Sequence, residues 1–311
     1  MDGFLIIDKP AGWTSHDVVA RARRLLGERR VGHTGTLDPF ATGVLVLVVG
    51  RATRLAQFLS GALKEYEATV RLGYATETGD LTGARRGETG ECRDWGGEEI
   101  GAALAPLRGE IEQVPPMYSA KKVQGRKLYE LARRGEEVER APARVKIHEL
   151  EAVAEGGALL RRNEDGTCDL SLRVVCSAGT YVRVLAESVG AGLGVGAHLA
   201  ALRRTRAGLF RVEQAVTLER VAEAVEAGAL GEILLPAEAA LPGVPEAHLT
   251  GEDARRVFNG AAVAAPADAP ERWLDGARVR LYAGGALVAV GVYDAARRVV
   301  RPRVMLAGGG E

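Results

Sequence analysis

The run Val44-Leu45-Val46-Leu47-Val48-Val49 offers no polar side chain to either face of a strand. An uninterrupted aliphatic, β-branched stretch is expected of a strand buried on both sides, so this chain must build a sheet that is covered on each face. Directly ahead of it stands Gly32-His33-Thr34-Gly35-Thr36-Leu37-Asp38-Pro39-Phe40-Ala41-Thr42-Gly43, with one carboxylate, one imidazole and three glycines. Glycine admits backbone conformations and close approaches that side chains forbid, while Pro39 fixes its own φ and biases Asp38 toward an extended conformation. The segment reads as an active-site loop that holds Asp38 at the mouth of a rigid core. Asp38 is ionised at neutral pH without tuning, so it suits a nucleophile, a base or a charge partner. A turn aspartate bonding its own backbone fits the same spacing. His33 fits a general base, a hydrogen-bond donor or a group stacked on a base.

Around this loop the pattern mixes strands and helices without strict alternation, which favours α+β over a doubly wound sheet. Phe4 to Asp8 reads as a short strand. Ser15 is placed to cap a helix carrying Val18, Val19, Ala22, Leu25 and Leu26 on one face and ended by Gly27. Arg51 to Leu59 has helical spacing, and Lys64 to Leu72 alternates with Tyr66, Ala68, Val70 and Leu72 on one face. Residues 73 to 97 read as a long irregular connection. Further strands are expected at Val145 to Ala154 and Leu170 to Cys176, and helices at Tyr181 to Val189 and Leu218 to Glu226. After the linker-like Leu241-Pro242-Gly243-Val244-Pro245 come a helix near Glu252 to Phe258 and Gly-punctuated strands. Two domains are expected, 1–240 and a small β-rich 246–311.

The 311 residues are 47% hydrophobic and 26% charged, enough for a substantial core. Membrane helices need roughly 20 apolar residues, and the start of the chain is too short and acidic for a signal peptide, so a cytoplasmic protein is expected. Cys92, Cys168 and Cys176 lack C-x-x-C spacing and read as reduced, mostly buried thiols. Phosphate-loop, dinucleotide and zinc motifs are absent, so no nucleotide cofactor and no metal are expected. Net charge is zero, yet cations crowd Lys121 to Lys146, and Arg203, Arg204, Arg206 and Arg211 sit together with no acid between them. Either one face is positive and suited to nucleic acid, or these are solvated helix faces.

Several ordered blocks carry a more specific signal. They are Asp8-Lys9-Pro10-x-Gly12-x-Thr14-Ser15, the Gly32 to Gly43 loop, Lys64-x-Tyr66, Thr76-x-Thr78-Gly79-Asp80, Pro115-Pro116-x-Tyr118-Ser119-Ala120-x-Lys122, Cys176-Ser177-x-Gly179-Thr180-Tyr181-Val182-Arg183, and Gly196-Ala197-His198-Leu199 leading to Leu202-Arg203-Arg204-Thr205. Together they resemble the bacterial TruB-type tRNA pseudouridine synthase family. The resemblance runs from the first strand to about residue 240. It implies a mixed-sheet catalytic domain followed by a PUA-like RNA-binding domain. It also implies isomerisation of uridine 55 in the T-loop of tRNA, without cofactor and without a metal, by a stand-alone monomer with tRNA as partner. An RNA-binding or tRNA-folding protein acting without catalysis is the competing reading.

The same resemblance implies the roles of single residues. Asp38 either attacks C1′ of the sugar or draws a proton from C2′. Arg183 keeps Asp38 ionised and oriented, since an opposite charge lowers a carboxylate pKa. Tyr66 stacks on the target base and lends its hydroxyl to proton removal from C5, Tyr181 packs and hydrogen-bonds beside it, and Leu202 gives the pocket an apolar wall. Because a stacked uridine must be flipped out, His33 fills the space it leaves. Lys9, Lys64 and the Lys121 to Arg134 segment are candidate phosphate contacts, and Tyr118 belongs to a loop that orders on RNA.

Overall fold

A computed structural model describes residues 1–87, 90–119, 121–123 and 125–307. Ala120 of the fifth block and residues 308–311 of the C-terminal segment lie outside the described residues. The main sheet takes β1 (Gly3–Lys9), β2 (Val31–His33), β3 (Thr42–Val49), β4 (Lys64–Gly73), β5 (Gly109–Gln113), β6 (Ala143–Ala152), β7 (Cys168–Cys176) and β8 (Gly196–Ala207). Its order is β1-β3-β8-β4-β7-β6-β5, with β2 paired to β3. β3 and β8 run parallel and the other neighbours antiparallel, so the sheet is mixed. The helices that matter here are α1 (Ser15–Leu26), α2 (Gly97–Leu104), α3 (Leu128–Ala132), α4 (Val182–Gly192), α5 (Leu218–Glu226) and α6 (Gly251–Phe258).

The aliphatic run of β3 is covered on both faces. Leu45, Leu47 and Val49 pack with Val18, Val19 and Ala22 of α1 and Leu218 and Val221 of α5. Val44, Val46 and Val48 point the other way, into a cluster with Phe4, Ile6, Phe210, Val290, Val304 and Leu306. The last three come from the C-terminal segment, whose longer strands are β9 (Glu246–His248), β10 (Arg278–Ala283), β11 (Ala286–Asp294) and β12 (Val299–Met305), in that order, with the two-residue Val263–Ala264 pairing β12 at the edge. This segment is a β half-barrel of PUA-like form, and the whole is an α+β fold. Its own core gathers Val257 of α6 with Trp273, Val279, Leu281 and Tyr293.

Local structure departs from the sequence reading in several places. Thr14, not Ser15, caps α1: its hydroxyl accepts from the Asp17 amide at 3.1 Å, and the Asp17 carboxylate accepts from the Thr14 amide at 2.9 Å. Ser15 is therefore free to turn inward. Arg51 to Leu59 forms two short turns, a 3₁₀ turn over Gly50–Leu55 and an α-turn over Ala56–Leu59. The connection after β4 contains a short strand pair, Ala75–Thr76 with Arg85–Arg86, before α2 begins at Gly97.

β8 is the largest departure. The Arg203 to Arg206 cluster lies on this strand rather than on a solvated helix, and it forms no exposed cationic patch. Arg203 grips Asp8 through two bonds of 3.0 and 2.8 Å, Arg206 pairs with Glu65 at 3.2 Å, and Arg204 is 1% exposed. Only Arg211 of the four is exposed. The three cysteines are free and buried, as expected.

Candidate active site

The Gly32 to Gly43 loop ends where β3 begins, and its shape is set by contacts from three directions. The inward hydroxyl of Ser15 accepts from the Leu37 amide at 2.9 Å and donates to the Leu37 carbonyl at 3.1 Å, tying α1 to the residue before Asp38. From below, the fully buried Lys9 ammonium donates to the carbonyls of Pro39 (3.1 Å) and Ala41 (2.6 Å), and to that of Pro10 (2.8 Å). Burial pushes Lys9 down to about 8. Lys9 thus braces the loop from inside instead of presenting its charge to solvent. At the far end Gly43 adopts φ +96°, and a Cβ there would stand 2.3 Å from the Arg204 carbonyl oxygen. Glycine is required to bring β3 against β8.

Asp38 meets Arg183, from the first turn of α4, in a two-pronged ion pair. Nε lies 3.0 Å from Oδ2, and Nη2 donates to Oδ1 at 3.2 Å. Arg183 is 5% exposed and is itself held, donating to the carbonyls of Thr78 (2.9 Å) and Tyr118 (2.7 Å). A second carboxylate, Asp80, stands 3.6 Å from Nη1. Asp80 is locked in a tight turn by the Thr78 hydroxyl and by the amide and hydroxyl of Thr82, at 2.8, 2.9 and 2.6 Å. Burial pushes the Asp38 carboxyl above the ordinary carboxylate value, and Arg183 opposes that push. The guanidinium therefore counteracts a rise due to desolvation. The sequence reading, which counted only the neighbouring charge, anticipated a simple lowering.

Asp38, Arg183, Tyr66, Tyr181, Leu202 and Lys64 line one cavity of about 250 Å³. Tyr66 projects from β4 and is buried, and burial raises its phenol above the ordinary value. Tyr181 sits at the N-cap of α4, where the buried Gln113 side chain accepts from its amide at 2.9 Å and donates to its carbonyl at 3.3 Å. Lys64 donates to the Ala62 carbonyl at 3.2 Å, and burial lowers its ammonium. On the other side of the ion pair, Tyr118 shares a second cavity of about 480 Å³ with Asp38, Arg183, Asp80, His16 and Tyr129. His33 lines neither cavity. It stands at the end of β2, edge-on to His16 with ring centroids 5.7 Å apart. Burial, aided by His16, pushes it down to about 4, so it is neutral at pH 7.

Three residues of this arrangement carried no assigned role in the sequence. Asp80 lies inside a recognised block, so a signal was present. Arg204 was hidden in an apparent cationic cluster. Gln113 had no signal, because only the pairing of β5 with β6 carries it beneath α4.

Residues 23–182 match the model of the TruB family pseudouridylate synthase N-terminal domain, and residues 183–242 that of the tRNA pseudouridylate synthase B C-terminal domain. The chain is 48% identical over 276 residues to the tRNA pseudouridine synthase B of Geobacillus thermodenitrificans (strain NG80-2), covering 89% of each. It is 42% identical over 309 residues to that of Azoarcus sp. (strain BH72), covering 99% of this chain and 95% of the relative. Among solved structures, a chain of a Cbf5-Nop10-Gar1 complex is 28% identical with a TM-score of 0.69, over 98% of this chain and 85% of that one.

Proposed function

This chain belongs to the TruB family of pseudouridylate synthases, its relatives support tRNA pseudouridine synthesis, and we propose that it isomerises uridine 55 in the T-loop of tRNA. The observation that carries this reading is the two-pronged Asp38–Arg183 pair at the wall of a base-sized cavity flanked by two tyrosines. The N1–C1′ bond of uridine breaks, and the uracil departs with the bonding electrons. Asp38, kept ionised by Arg183, acts on the sugar either by bonding to C1′ or by taking a proton from C2′. The uracil turns between Tyr66 and Leu202 and rejoins C1′ through C5. Tyr66 then removes the C5 proton while N1 takes one from water, so the atoms balance as an isomerisation with no cofactor. Reaching the site requires the nucleotide to leave its stack, at a cost of a few kcal/mol. His33, neutral and at the start of the loop, is assigned to the space left behind. Lys64 and Tyr118 are assigned to the RNA, Tyr181 to packing beside the base, and Lys9 to bracing the catalytic loop.

Chemical mapping of pseudouridine in tRNA incubated with the purified protein tests this. The expected result is one modified position, 55, which Asp38→Asn abolishes while tRNA binding persists. Modification elsewhere overturns the site assignment, and turnover by Asp38→Asn overturns the role of Asp38.

A further inference from the structure

Arg204 is 1% exposed in the middle of β8, yet its charge is not balanced. Its guanidinium donates only to neutral carbonyl oxygens, those of Val44 (2.7 Å), Gly35 (3.1 Å) and Thr36 (3.4 Å). Among the described residues no carboxylate stands within salt-bridge distance of it, in contrast to Arg203 and Arg206 on either side. A buried cation without a counter-ion is costly, so a fold that keeps one invites the question of which negative charge it awaits. In the β4–β8 register Arg204 lies directly opposite Tyr66, which puts the phenol within range of its charge. Cys176 of β7 and Asp38 of the loop also face that hydroxyl, and Lys64 stands beside Arg204. The Cys176 thiol is pushed up to about 11 by burial, so it stays neutral at pH 7, and Asp38 disfavours a nearby anion. Burial opposes an anion at Tyr66, and Arg204 is the favourable charge.

We propose that Arg204 is a positioning residue, which fixes the Tyr66 hydroxyl in the cavity and stabilises its anionic form for removal of the C5 proton. This rests on the role given to Tyr66 above. In that step the C5–H bond breaks and the proton passes to the phenolate oxygen. Its electron pair forms the C5–C6 double bond, and the displaced C6–N1 pair becomes the N1 lone pair that takes a proton from water. The phenol then returns its proton to solvent. Arg204 stays charged throughout and acts on the uridine only through Tyr66.

The test compares Arg204→Gln, Arg204→Lys and Tyr66→Phe on tRNA carrying protium or deuterium at C5 of the target uridine, with tRNA affinity and thermal unfolding reporting the fold. Arg204→Gln is expected to slow turnover by roughly a hundredfold, the scale of general acid–base catalysis. Its rate becomes sensitive to deuterium and climbs with pH beyond the point where the unaltered enzyme levels off. Arg204→Lys, which keeps the charge, recovers much of the rate and shows a smaller isotope effect. A slow Arg204→Gln with an unchanged isotope effect and pH profile reduces Arg204 to a structural residue and overturns the proposal. Should Arg204→Gln fail to fold, an Arg204→Lys enzyme with no isotope effect above the unaltered one overturns it equally. Full turnover by Tyr66→Phe removes the Tyr66 role itself, whereas an impaired Tyr66→Phe beside a normal Arg204→Gln removes Arg204 alone.

Discussion

Asp38 and Arg183 are 145 residues apart in the chain, and their pairing decides how the carboxylate behaves at the wall of its cavity. Desolvation favours the protonated acid and the guanidinium favours the carboxylate. Arg183→Met is therefore expected to raise the Asp38 pKa further, moving the acid limb of the pH–rate profile for pseudouridine formation to higher pH. An acid limb left in place would show that Arg183 does not hold Asp38 ionised. His33 yields a stability prediction. It is held at about 4 in the fold against an ordinary 6.5, so between these values the unfolded chain takes up a proton that the folded one refuses. Stability falls as pH drops through that window. Urea unfolding at pH 7 and pH 4.5 should show a smaller difference for His33→Gln, though not none, because burial also lowers His198. The residue types of the site were legible from their blocks. The balance between burial and charge at Asp38 was not, because desolvation and the charges of Arg183, Asp80 and Lys9 come from parts of the chain far from it in sequence.

At the scale of elements, the catalytic loop is shaped by its neighbours more than by its own sequence. Ser15→Ala leaves α1 capped by Thr14 but strips the Leu37 amide and carbonyl of their buried partner. Loss of such a bond costs about 1–3 kcal/mol, and denaturant midpoints should report it together with reduced turnover. Gly43→Ala is expected to be worse. The new Cβ meets backbone at 2.3 Å and the position needs a positive φ, so neither rotation nor a side-chain shift relieves it. Wild-type stability in Gly43→Ala would mean that β3 and β8 do not approach as closely as described. Elements with clean periodicity were legible: β3, β4, α5 and β10 to β12 stand where the pattern put them, whereas the three-residue β9 carried no signal. β8 was not, because Arg203, Arg204 and Arg206 interrupt its alternation. Their charges are satisfied or sequestered only by strands distant in sequence.

For the molecule as a whole, the covering of β3 links the C-terminal segment to the catalytic sheet. Val290, Val304 and Leu306 share a cluster with Val44, Val46 and Val48, Arg54 donates to the Met305 carbonyl at 2.7 Å, and Arg278 lies 4.5 Å over the Phe58 ring. The domains proposed as 1–240 and 246–311 are thus expected to unfold together, in one calorimetric transition. Leu306→Ala should lower that transition by an amount matching about 2–5 kcal/mol. Two separable transitions, with only the later-melting unit carrying the activity, would contradict the shared core. Among the described residues no helix is long and apolar enough to cross a membrane. By itself the sequence determined that β3 must be buried on both faces, that Asp38 must be held at its mouth, and which family motifs surround it, because periodicity, glycine, proline and ordered blocks are local properties of a chain. Tertiary structure alone decided what covers β3, which of the arginines are exposed, and how Asp38, Arg183, Tyr66 and Arg204 face one another. Burial and electrostatic pairing depend on distances in space, and residues far apart in the chain set those distances.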